Sequence, residues 1–147
     1  MPRGARRLPD ACARLLAAAD LVLHVGDFTA AAVLEELRAL APVAAVHGNM
    51  DEPALAAALP ERLVVEAKGL RIGLVHDPGP APGRHARLAA AFPSCDIVAY
   101  GHTHVADMRR AGSVWVLNPG SPTERRRAPG HTMIVLEAGE PEVIALG

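Results

Sequence analysis

Asp96-Ile97-Val98-Ala99-Tyr100-Gly101-His102-Thr103-His104 is a short apolar run that stops on a glycine and two histidines. A run of this length bounded by turn signals reads as a buried strand handing over to a loop. Three more stretches follow the same plan: Leu21–Val25 ends in Gly26-Asp27, Val43–His47 ends in Gly48-Asn49-Met50-Asp51, and Leu70–Val75 ends in His76-Asp77. The ends of buried strands are where α/β proteins keep their active sites. Asp27, Asn49, His76, His102 and His104 thus bring one carboxylate, one amide and three imidazoles to one sheet edge. That mixed N and O set suits Mn, Fe, Zn, Ni or Co and does not suit Ca alone.

Outward from these stretches, the first half alternates a helix near 8–19, a strand at 21–25, a helix at 30–40 and a strand at 43–47. Such alternation implies right-handed crossovers and a largely parallel sheet. The second half is organised differently, because 63–67 and 71–75 flank Lys68-Gly69 and read as a hairpin. A helix from about 84 to 92 and a strand at 96–100 come next, then two further hairpins. One pairs 106–110 with 113–117 across Ala111-Gly112, the other 131–137 with 141–146 across Ala138-Gly139-Glu140. Parallel strands early and hairpins late predict an α/β fold of two mixed β-sheets packed as a sandwich with flanking helices. An α/β sheet with an antiparallel extension is the alternative. The Pro/Gly cluster at 78–83 is too short to separate domains and reads as a loop beside the site, so residues 1–147 are expected to form one domain.

Half of the 147 residues are hydrophobic, but only two Phe, one Trp and one Tyr are present, so the core must be built of Ala, Val, Leu and Ile. Lys plus Arg number 15 against 16 Asp plus Glu, a net charge of -1 that offers no general attraction to nucleic acid or an acidic membrane. An anionic substrate would have to be held locally, as by metals. No apolar run approaches the about 18 residues of a membrane span. The Arg-rich opening could pass for a transit peptide, but Leu8, Ala11, Leu15 and Leu16 at helical spacing fit an ordinary packed helix. Cys12 and Cys95 lack metal-ligand spacing and read as two free thiols in a reducing cytosol.

Each motif taken singly is weak. Gly-Asp at a strand end is also a turn or helix N-cap, Gly-Asn is a favoured turn pair, and a strand-end His76 can be a hydrogen-bonded imidazole. His102 and His104, at i and i+2, would face opposite ways in a regular strand, so both reach one site only through a loop geometry. Together, four such motifs at the ends of four strands favour a metal site. His24 and His47 read as core or supporting residues, and His85 and His131 as surface or strand residues. Asp51 serves either as a turn cap or to orient a ligand. Trp115 reads as a strand aromatic, Glu124–Arg127 as a solvated loop, and Ser121 as a poor nucleophile with no histidine near it in sequence.

The pattern resembles the calcineurin-like metallophosphoesterases, and in length and late hairpins the small YfcE-like phosphodiesterases, including Asn118-Pro119-Gly120-Ser121, which matches a structural loop of that family. The resemblance implies a sandwich of two sheets and hydrolysis of a phosphodiester by a metal-activated hydroxide, with no protein nucleophile. Asp27 would bridge two metals, Asn49, His76 and His102 would complete one, and His104 would belong to the other. Two cations about 3.5–4 Å apart would orient a water in line and neutralise charge on the phosphate oxygens. The implied partner is a small phosphoester substrate, in a cytoplasmic protein that binds neither nucleic acid nor membrane and is compatible with a homo-oligomer.

Two departures from the family pattern stand out. Many relatives have a histidine between the Asn and Asp of the third motif; here it is Met50, which has no proton to donate, as in YfcE-like relatives. Activated esters such as aryl phosphodiesters are therefore the expected substrates. The family also opens with a buried strand ending in Asp-x-His, whereas this chain reads Met1-Pro2-Arg3-Gly4. The first central strand is expected to be missing, leaving one strongly held metal in place of two. A non-catalytic scaffold, the role this fold takes in the eukaryotic retromer, and an inactive fragment from a misassigned start are the alternatives.

Overall fold

The computed structural model describes residues 10–26, 31–48, 51, 53–121 and 130–146. Its centre is a mixed five-stranded sheet, in the order β3-β4-β5-β7-β6. The strands are β3 (Arg62–Ala67), β4 (Leu70–Val75), β5 (Ile97–Tyr100), β6 (Asp107–Ala111) and β7 (Val114–Asn118). β4, β5 and β7 run parallel, while β3 and β6 pair antiparallel at the two edges. Alternation assigns the faces of β5: Ile97 packs toward one layer, and Val98 and Tyr100 toward the other. On that second face, helix α4 (Arg84–Ala91) lays Leu88, with the following Phe92, against Val75, Val98, Tyr100 and Val116.

The other face is covered by two separate pairs. β1 (Val22–His24) runs parallel to β2 (Val43–Ala45), and β8 (Thr132–Glu137) antiparallel to β9 (Glu140–Ala145). Leu23, Ala44, Ile134 and Leu136 from these pairs, with Val25 just past β1, close over Ile72, Leu74, Ile97 and Leu117 of the central sheet. Outside β1 and β2, helix α2 (Ala31–Leu40) buries Leu34 and Leu37 with Leu55 of α3 (Pro53–Ala58) and Leu16 of α1 (Asp10–Ala18). The sandwich with helices on its outer faces is as the sequence predicts. The second layer differs in being divided: among the described residues no strand joins β1–β2 to β8–β9. A groove of about 930 Å³ runs there, lined by Leu23 and Val25 on one side and Ile134 and Leu136 on the other. The expectation that a first central strand is missing turns on residues 1–9, which lie outside the described residues.

Three local readings are corrected. Helix α3 was not expected; Pro53 suits its first turn, where the missing N–H is no loss, and Leu55 alone anchors it. The β6–β7 turn falls on Gly112-Ser113, so both strands sit one residue later than predicted. The β8–β9 turn contains two residues, Ala138 (φ 52°) and Gly139 (φ 79°), because two successive left-handed residues match the twist of a hairpin and release Glu140 to pair with Glu137. Cys12 and Cys95 are both free and buried, and burial pushes both thiols up. Among the described residues no helix is long and apolar enough to cross a membrane.

Candidate metal centre

Four strand ends converge on His76, the residue that follows β4. Its ring nitrogen Nδ1 lies 2.7 Å from the carbonyl oxygen of Val25, just past β1. A carbonyl can only accept, so Nδ1 carries the proton and Nε2 is the nitrogen with the lone pair. This is how a metal-ligating imidazole is ordinarily oriented. The backbone of His76 in turn accepts the N–H of Gly101 after β5 at 3.0 Å, and Val46 after β2 donates to His24 at 3.2 Å.

The convergence leaves no room for side chains at two glycines. A Cβ on Gly26 (φ 102°) would stand 2.7 Å from Gly48 N and 2.8 Å from His76 Nδ1. One on Gly101 would meet the Val25 oxygen at 3.0 Å and His76 Nδ1 at 3.2 Å. The glycines that punctuate the motifs therefore let backbone and imidazole approach, rather than merely turning the chain.

His102 stands edge-on to His76, with ring centroids 5.3 Å apart and planes at 82°. His102 (φ 73°) and His104 (φ 61°) both adopt left-handed backbone on either side of Thr103. The predicted loop geometry is thus observed, at a cost of about 1–3 kcal/mol per residue that the surroundings must hold in place. His76, His102, His104, Gly26 and Gly101 all line the one groove between β1 and β8. His76 and His104 are buried, 6% and 9% exposed.

Asp27, Asn49 and Met50 lie outside the described residues, as does the Glu124–Arg127 run. Among the described residues no group of three His, Cys, Asp or Glu side chains is gathered closely enough to hold a metal ion. The described share of the candidate site is therefore an imidazole pair plus His104, to which the chain order would add one carboxylate and one amide oxygen. Donors of this intermediate softness fit a first-row transition metal.

The remaining polar residues take supporting places. Asp51 accepts the N–H of Gly48 at 2.6 Å and so caps the turn after β2. His24 Nδ1 accepts the Gly26 N–H at 3.0 Å, and loss of water around this imidazole holds its pKa well below the ordinary value. Arg87 of α4 gathers the carbonyls of Pro78, Pro80 and Pro82 at 2.7, 2.6 and 3.2 Å, pinning the Pro/Gly loop that follows His76.

Sequence reasoning passed over two networks. His85, expected as a surface or strand residue, lies in α4 and bonds Asp107 at 2.5 Å, and the same carboxylate oxygen accepts the Tyr100 hydroxyl at 2.6 Å. Asn118, quoted only as part of a loop, is fully buried and bonds Thr103. Its place at the end of a strand with a buried Val116 and Leu117 was the available signal.

Comparison with known proteins agrees with this architecture. The model of the calcineurin-like phosphoesterase superfamily domain matches residues 4–140. The chain belongs to that superfamily of metallophosphoesterases. It is 33% identical over 142 residues to a probable metallophosphoesterase of Methanothermobacter thermautotrophicus, covering 95% of this chain and 82% of that protein. The fold is similar to a crystal structure of wild-type Vps29 complexed with zinc from Entamoeba histolytica, with TM-score 0.77, 23% identity and coverage of 100% and 94%. It is also similar to the structure of an archaeal phosphodiesterase, with TM-score 0.70, 25% identity and coverage of 87% and 84%.

Proposed function

We propose that this chain is a metal-dependent phosphodiesterase of the cytoplasm, acting on small phosphodiesters without nucleic acid or membrane as a partner. The observation that carries the reading is His76. Its Nδ1–H is committed to the Val25 carbonyl, so its lone pair is directed away from that bond, in a groove it shares with His102 and His104. The likeness to an archaeal phosphodiesterase supports a diester substrate. In this reading Asp27, Asn49, His76 and His102 hold one divalent metal, Mn, Ni, Zn, Fe or Co, and Asp27 and His104 contribute to a second position. Such a metal supplies Lewis acidity toward a phosphoryl oxygen and toward water. The protein's own part is to fix the imidazole tautomer, to present the two loop histidines, and to close the apolar walls of Leu23, Val25, Ile134 and Leu136 around the site.

Metal titration of the purified protein tests this, alongside His76→Ala, His102→Ala and Asp27→Ala, with hydrolysis of an aryl phosphodiester in the presence of Mn, Ni or Zn. The wild type should bind metal and each variant should lose affinity, Asp27→Ala most, since no other anionic side chain in the motif set replaces it. Unchanged metal content in Asp27→Ala and His102→Ala would overturn the assignment. Metal binding without turnover of any phosphodiester would move the chain to the scaffold role.

A further inference from the structure

We infer that Asn118 and Thr103 are positioning residues that set the metal affinity of the candidate site without touching the metal. The inference rests on the metal-binding reading above. Asn118 ends β7 and is fully buried, yet every polar atom of its amide is engaged. Its Nδ2 donates to Thr103 Oγ1 at 2.8 Å and to the Gly101 carbonyl at 3.4 Å, and its Oδ1 accepts the N–H of Gly120 at 2.9 Å. Thr103 is joined twice more, its N–H to the Gly101 carbonyl at 2.9 Å and its hydroxyl oxygen from Val105 N–H at 3.3 Å.

Thr103 stands between the two left-handed histidines, so these five bonds hold a segment that carries two left-handed non-glycine residues. Left-handed backbone at non-glycine residues persists only where the surroundings over-determine it. A buried amide with all its hydrogen bonds made provides that determination, because each alternative loop conformation leaves an amide group unpaired in the core. Asn118 is thus the device that turns His102 and His104 to the same groove.

The test uses the full chain and cobalt(II) as the probe. Thr103→Val keeps the shape and removes the acceptor, Thr103→Ser keeps the hydroxyl, and His76→Ala serves as the ligand control. Melting of the metal-free proteins confirms that each variant folds. Thr103→Val should weaken cobalt binding by about 10–100-fold and alter the visible ligand-field spectrum, while Thr103→Ser restores both. Asn118→Ala should show the same spectral change. If the wild type binds cobalt, His76→Ala does not, and Thr103→Val matches the wild type in affinity and spectrum, the positioning role is refuted while the ligand set stands. If the wild type itself binds no cobalt, manganese or zinc, the metal reading falls and this inference with it.

Discussion

The hydroxyl of Tyr100 should give this protein an alkaline stability limb that Tyr100→Phe abolishes. Tyr100 ends β5 and Asp107 begins β6, so their 2.6 Å hydrogen bond ties together the two ends of the loop that carries His102 and His104. Burial, reinforced by the bond to Asp107 and by its charge, pushes the phenol from 10.0 up to about 12, with Arg84 acting weakly in the opposite direction. The folded state therefore retains its proton where the unfolded chain has lost it. The phenol's contribution is complete below pH 10 and is lost as the pH rises to about 12, on the order of 3 kcal/mol.

Replacing the hydroxyl also removes a donor to a carboxylate, about 1.5–3 kcal/mol at neutral pH. Asp107 responds in turn. Burial raises its pKa, but the bonds from Tyr100 and His85 and the nearby charges of His85 and Arg109 outweigh it and hold it low. Its contribution is present above the usual carboxylate range and is lost as the pH falls through the depressed value, less steeply in Tyr100→Phe. Urea unfolding followed by circular dichroism, carried from below the usual carboxylate range to above pH 12, measures both limbs. Because the chain has a single tyrosine, tyrosinate absorbance reports this phenol alone. The two proteins should differ at neutral pH and converge at the alkaline end. Parallel curves between pH 10 and 12, or a phenol titrating at its ordinary value, would refute the reasoning.

Gly26→Ala should destabilise the fold by on the order of 3 kcal/mol, since its Cβ would meet the backbone of Gly48 at 2.7 Å with φ at 102°, and urea denaturation with a wild-type midpoint would contradict this. The same variant should bind metal more weakly, because that Cβ also reaches His76 Nδ1 at 2.8 Å. Met50 carries no proton, so the rate should fall steeply as the leaving group becomes less acidic, with aryl diesters cleaved far faster than alkyl ones. Met50→His should raise alkyl-ester cleavage, and a flat dependence on leaving-group pKa in the parent would argue against the assignment.

Much of the scaffold was legible because its signals are local. Leu70–Val75 and Asp96–Tyr100 are apolar runs cut off by polar or glycine residues, and they form adjacent parallel strands of the central sheet. The Lys68-Gly69 turn announced a hairpin, and β3 and β4 pair antiparallel across it. Helix α3 escaped notice because Pro53-Ala54-Leu55-Ala56-Ala57-Ala58 has too few large side chains to show a helical period; packing of Leu55 against Leu34 and Leu37 makes it a helix.

For the site, residue types and chain order alone gave His76, His102 and His104 as candidates, and the structure places all three along one groove. What they do there was decided by tertiary contact. The tautomer of His76 depends on the Val25 carbonyl, 51 positions away in the chain. The amide of Asn118 reaches Thr103 only because β7 lies beside β5, a non-consecutive pairing. Apolar periodicity and glycine punctuation are written in neighbouring residues, so sequence by itself determined where strands end and which side chains arrive there. Hydrogen bonds between those ends join residues brought together only by the packing of separate strands, and no local pattern encodes their geometry.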